Sequence, residues 1–187
     1  MQRRGWQIEA VEKNAQARAF AKEHFNLEVR PDTDLKNLTP GSFDVITMWH
    51  VMEHLEHLNE IWETLNSLLT DKGVLIVAVP NCSSFDAQKY GAYWAAYAVP
   101  RHLWHFTPGT IQQWGSKHGF ILAERHPMPF DAFYVSMLTE KHMRRSCTFL
   151  RGMITGTLAW FSALVRKERS SSMIYVFRKK GSPTSNH

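Results

Sequence analysis

Histidine and glutamate recur at one-turn spacing in residues 49–58, WHVMEHLEHL. His50, Glu53 and His54 stand at i, i+3 and i+4, and His57 follows at i+7. A helical turn would set all four on one face. A carboxylate with two or three imidazoles is a donor set that holds a divalent metal; a Glu-His pair can equally brace a loop. Trp49, just before them, offers an aromatic face that attracts a cationic ligand, or else packs into a core. A second group lies in residues 100–108, PRHLWHFTP. There His102 and His105 are candidates for a general base, because imidazole titrates near neutral pH and can take a proton from a hydroxyl or amine. The competing reading of each is a packed loop histidine. Nearer the start, Glu12 precedes a helix-forming segment, where a carboxylate favours the positive end of the helix dipole. Asp32 and Asp34 read as an Asp-rich turn after Pro31.

These residues need elements to position them. Residues 43–48 (FDVITM) and 74–79 (VLIVAV) are apolar runs bounded by turn residues and read as strands. Their lack of polar alternation suits a parallel sheet covered on both faces. Residues 7–11 and 28–29 are weaker strand candidates. Asn14 is placed to cap a helix running to Phe25, with Ala17, Phe20 and Ala21 on one side. Residues 58–69 put Leu58, Ile61, Trp62, Leu65, Leu68 and Leu69 on one stripe and close on Asp71-Lys72-Gly73, a C-cap pattern. Residues 107–118 open with Thr107-Pro108 and stop at Gly119, as a capped helix does. Residues 121–125 and 173–178 read as the last strands, separated by a mostly helical insert over residues 130–172. Strands alternating with helices predict a doubly wound α/β fold, with residues 1–187 as one domain.

The block at residues 43–58, followed by LLTDKGVLIVAVPN at 68–81, resembles class I S-adenosylmethionine-dependent methyltransferases, in the group that includes ubiquinone-biosynthesis O-methyltransferases. The HFTP of residues 105–108 and the Gly119-Phe120 pair extend the resemblance to about residues 5–125, with a weaker match at the final strand. Lys72-Gly73 stands where that group has a Gly-Gly pair. The resemblance implies a Rossmann-like class I methyltransferase sheet with a helical insert before its last strand, and S-adenosylmethionine as cofactor. It implies that Glu12 binds the ribose hydroxyls, that Asp32 contacts adenine, and that Trp49 and His50 face the methionine and sulfonium. Metal-dependent relatives use a Glu-x-x-Glu-His cluster here and a later histidine. By that comparison His50, Glu53 and His54 are metal candidates, with His50 replacing the first glutamate and His105 in the later place. The group's first strand and its G-x-G-x-G loop should precede Gly5, where only four residues stand. The chain is therefore expected to lack them, as an N-terminally truncated domain. Methyl transfer to a small-molecule or lipid-like acceptor is the leading expectation. An incompetent fragment acting as an interaction module, and an RNA methyltransferase, are the alternatives. The last has no basic-aromatic RNA platform to support it.

Composition narrows the class further. The 187 residues are 44% hydrophobic and 21% charged, ordinary globular values. The net charge of +5 gathers at the ends, in Arg3 and Arg4 and in the arginines and lysines from Arg144 to Lys180. Solvated ends explain this, as does contact with an anionic surface. The tail at residues 181–187 is small, polar and expected to fray. The two cysteines, Cys82 and Cys147, have no motif spacing and predict neither a disulfide framework nor a thiolate metal site. A reducing, cytoplasmic location fits, with no signal peptide expected. Residues 148–165 are the most apolar stretch, flanked by Arg144, Arg145, Arg166, Lys167 and Arg169 and broken by Arg151. They read as a lid helix over the substrate pocket, as a helix lying on a membrane surface, or as a dimer contact.

Overall fold

Apolar residues at positions 43–49 and 69–80 build two adjacent parallel strands, β1 (Phe43–Trp49) and β2 (Leu69–Pro80), in a computed structural model that describes residues 4–181. Arg3 and the tail residues 182–187 lie outside the described residues. Two strands from the end of the chain complete a four-stranded sheet, β3 (Phe120–Met128) and β4 (Ser172–Lys179), in the order β1-β2-β4-β3. The last strand enters between β2 and β3, antiparallel to both. This is the expected α/β sheet with an insert before its final strand.

Between β1 and β2 runs α1's successor α2 (Leu58–Leu68), following α1 (Ala15–Phe25) earlier in the chain. The apolar stripe of α2 is buried as its spacing predicts: Leu58, Trp62 and Leu65 join the core on the sheet, Leu68 is buried, and Trp62 meets Phe120 and Phe177 edge-on. Its C-terminus differs from expectation. No C-cap forms at Asp71-Lys72-Gly73; the chain turns extended at Leu69 and is already in β2. Leu69 pairs with Phe43 and Val74 pairs with Val45, so residues 70–73 form a bulge that pushes Asp71 and Lys72 into solvent. The turn signal was real but marks that bulge. The helix α4 (Pro108–Lys117) has a capping box, Thr107 and Thr110 each satisfying the other's backbone, and Gly119 leaves in a left-handed turn (φ +81°). Gly115 lets α4 approach the sheet: a Cβ there would lie 2.5 Å from the Phe177 ring. One face of the sheet, carrying Leu75, Val77, Met173, Tyr175 and Phe177, is fully buried. On the other, Val74, Ile76, Ile174 and Val176 are half-buried, less covered than their unbroken apolar runs suggest.

The insert is helical, as expected. It comprises α5 (Asp131–His142) and α6 (Thr148–Val165), a helical hairpin packed on the short helix α3 (Phe85–Tyr90) and the segment after it. Gly152 and Gly156 let α6 touch α5, where added Cβ atoms would fall 2.7 Å and 2.8 Å from the Met137 and Phe133 Cα atoms.

The chain divides into two compact units, Met1–Pro40 and Gly41–His187. In the first, Asn14 caps α1 as its type predicts, its side chain accepting from the Gln16 and Ala17 amides. The strands expected at 7–11 and 28–29 do not form. One bridge, Val11 with Arg30, replaces them, because both segments are largely exposed and only two backbone bonds join them. No residue of α1 is buried, and Phe20 is exposed rather than on an inward face.

Candidate active site

β1 delivers Trp49 to its carboxyl end, half exposed. His50 follows with φ +52°, a left-handed turn held by its amide donating to the Ala78 carbonyl at 2.9 Å. The chain then makes a single 3-10 turn, Met52–His54, and runs extended at Leu55. No helix spans residues 49–57, so the shared face expected for His50, Glu53, His54 and His57 does not exist. His57 points outward, and His50 and His54 diverge.

His54 turns toward the loop at residues 100–106. That loop is stitched to the 3-10 turn by backbone bonds, Leu103 and Trp104 amides to the Glu53 carbonyl, and by the Trp104 indole to the Leu55 carbonyl at 2.7 Å. It is tied to the end of β2 by the Asn81–Phe106 bridge, while buried Asn81 donates to the Glu168 and Ser170 carbonyls. These bonds bring His102 to Glu53 and His54. One carboxylate oxygen of Glu53 and one ring nitrogen each of His54 and His102 lie within 4.8 Å of one another. The donor atoms brought together are therefore those of Glu53, His54 and His102, while His50 touches Glu53 through Nδ1 and turns its Nε2 to Asp131. The trio suits a divalent metal chemically. Nδ1 of His54 donates to the Arg101 carbonyl and Nδ1 of His102 to the Ala96 carbonyl, which leaves each Nε2 as a lone-pair donor. Glu53 is 1% exposed, and neither of its carboxylate oxygens has a hydrogen bond. The His50 ring at 3.4 Å is an ion-pair contact without hydrogen-bond alignment.

Burial pushes the His102 imidazole below its ordinary value, against the opposing effects of its bond to Ala96 and the charge of Glu53. His102 is thus a neutral base at neutral pH. His105 is exposed, with Nε2 on the Tyr97 carbonyl at 3.1 Å and its ring edge-on to Tyr97. His50 bridges two acids: Nδ1 lies 3.4 Å from Glu53 and Nε2 3.5 Å from Asp131. The contact with Asp131 and then that with Glu53 raise its pKa to about 9, over the opposing effect of burial. Both ring nitrogens thus face carboxylates. Asp131, the first residue of α5, was not legible as a site residue. Its partner lies in another element, so no local signal marked it.

In the first unit, Glu12 is exposed, and its Oε1 accepts from the Asn14 amide at 2.8 Å beside the N-terminus of α1. Asp32 is exposed at the start of a 3-10 helix, Asp32–Asn37.

A family described as "Methyltransferase domain" matches residues 1–124. No curated protein matches the chain in sequence. Among solved structures, the chain is similar to a SAM-dependent methyltransferase from Archaeoglobus fulgidus, with a TM-score of 0.60 and 14% identity, covering 95% of this chain and 78% of that one. It is similar to a phosphoethanolamine N-methyltransferase from Haemonchus contortus in complex with S-adenosylhomocysteine, with a TM-score of 0.55 and 14% identity, covering 94% and 44%. A cyclopropane synthase from Mycobacterium tuberculosis aligns at a TM-score of 0.57 and 11% identity, covering 92% and 70%. The family match runs from the first unit through the histidine loop and into β3, and it establishes that this chain belongs to the methyltransferase-domain family.

Proposed function

We propose that the protein transfers a methyl group to the hydroxyl or amine of a small-molecule or lipid-like acceptor, with His102 as the base. The supporting observation is the His102 ring: neutral by burial, fixed through Nδ1, and with its Nε2 left to accept a proton. Bound S-adenosylmethionine would supply an electrophilic methyl group on a sulfonium. In-line placement of the acceptor does most of the catalytic work in such a transfer, and the acceptor's proton passes to Nε2 of His102. The exposed face of Trp49 is suited to the sulfonium. Glu12 and Asp32, both in the first unit, are the candidates that the resemblance offers for the ribose and the adenine. His105, with Nδ1 free of its carbonyl contact, is the second candidate base.

Release of S-adenosylhomocysteine in the presence of a panel of phenols, amines and lipid hydroxyls tests this. His102→Gln should lower kcat by about 10²–10⁴-fold and leave the affinity for S-adenosylmethionine unchanged. In the native protein the rate should rise with pH through a value below the ordinary histidine range and stay level above it. Transfer to an RNA transcript but to no panel member, or an unchanged kcat in the variant, would overturn the proposal.

The trio's unbonded, buried carboxylate favours a second reading, in which Glu53, His54 and His102 hold a divalent cation. The proton would then go elsewhere. Metal analysis of the purified protein decides between them: stoichiometric metal lost in His54→Ala favours the cation, and negligible metal in both proteins removes it.

A further inference from the structure

Helix α6 is built inside out. Its buried positions are small: Gly152, Thr155, Gly156, Ala159 and Ala163. Its large apolar residues face solvent, among them Phe149, Leu150, Ile154, Phe161 and Val165, the last 84% exposed. Only 28% of the helix is buried. A water-facing helix is stabilised by the opposite arrangement, large apolar residues inward and polar ones outward. Spacings of four, four, three and four along Leu150, Ile154, Leu158, Phe161 and Val165 keep the exposed side chains in one continuous stripe. At the stripe's C-terminal end an open cleft of about 580 Å³ lies beside Phe85, lined by Leu158, Phe161 and Val165, with Arg166 and Arg169 at its edge.

We propose that this face of α6 lies on an anionic lipid bilayer, with the apolar stripe at the acyl boundary and the flanking cations on lipid phosphates. Charge decides the occupant. Arg144 and Arg145 precede the helix, and Arg166, Lys167 and Arg169 follow it. A second copy seated on this face, parallel or antiparallel, would bring cations against cations. An anionic surface satisfies both ends at once. The helix lies along the surface rather than crossing it. Its inner side is occupied by α5, and Arg151 within its first turn is held by buried Glu140 at 3.1 Å. This inference does not depend on the acceptor.

Co-sedimentation of the full chain with phosphatidylcholine vesicles, with and without phosphatidylglycerol, tests it. The protein should pellet only with the anionic vesicles, and less so as salt is added. Leu158→Ser with Phe161→Ser should lower partitioning by about tenfold or more. Arg166→Glu with Lys167→Glu should abolish it. All of these side chains lie at the surface, so each variant should keep the native melting temperature, and circular dichroism checks this. A native protein that stays in the supernatant overturns the proposal. So does a serine variant that binds undiminished, since charge alone would then suffice. Light scattering that shows a dimer, made monomeric by the serine pair and without vesicle binding, overturns it in favour of a second copy.

Discussion

His50 shows how one residue can link two elements. It leaves β1 in a left-handed turn, and its ring lies between Glu53 on the next turn and Asp131 at the head of α5. A protonated imidazole between two carboxylates joins the insert to the strand end. Its folded pKa of about 9 lies above the ordinary 6.5, so its contribution to stability is complete below about pH 6.5 and is lost as pH rises through about 9. Asp131 works the other way. Burial alone would raise its pKa, but the bonds from His50 and Ser172 and the His50 charge hold it below its ordinary value. Its contribution is present above the ordinary carboxylate range and is lost as pH falls through its folded value. The native melting temperature should therefore decline from about pH 7 to about pH 10 more steeply than in His50→Gln or Asp131→Asn. Parallel pH profiles in the native protein and both variants would show that the bridge does not contribute. The His50 ring is partly exposed, so solvent screening keeps the difference small. The types of His50, Glu53, His54 and His102 were legible as reactive in the sequence. Their grouping was not, because it depended on a helical turn that Leu55 ends after three residues.

Among the elements, the strongest local signals held. Asn14 and Thr107 cap their helices, and the stripe of α2 is buried, because capping and 3.6-residue periodicity act over a few neighbouring residues. Asp71-Lys72-Gly73 carries a helix-stop signal but forms a bulge inside β2, since the backbone preferences of those residues suit both. At the α5–α6 contact, glycine is a packing residue. Gly156→Ala puts a methyl 2.6 Å from the Phe133 ring and 2.8 Å from its Cα, and backbone cannot move aside cheaply. The substitution should destabilise the protein by about 1–3 kcal/mol in urea unfolding, despite a helix-propensity gain of about 1 kcal/mol. Leu158→Ala, on the outer face of the same helix, should stay within about 0.5 kcal/mol in water. A neutral Gly156→Ala would mean that the two helices do not meet there.

Over the whole molecule, S-adenosylmethionine should stabilise the fold by mass action. At 100 times its Kd the gain is about 2.7 kcal/mol, and for a chain of this length that raises the melting temperature by roughly 5–10 °C. Differential scanning fluorimetry across a cofactor titration reads the shift. A melting temperature that does not respond at saturating cofactor would show that the polypeptide does not bind its family's methyl donor.

The sequence by itself determined the family, the two parallel strands β1 and β2, the capped helices and the reactive residue types. Each of these rests on local order: a motif, a period or a cap. Only the tertiary structure decided which side chains meet. Sheet order and the stitching of the 100–106 loop set His102 beside Glu53 and His54, and the return of the insert set Asp131 beside His50. The structure also decided that the large residues of α6 face outward. Its helical period was plain in the sequence, but a period states that one face differs from another, and only the small residues pressed against α5 show which face is inside.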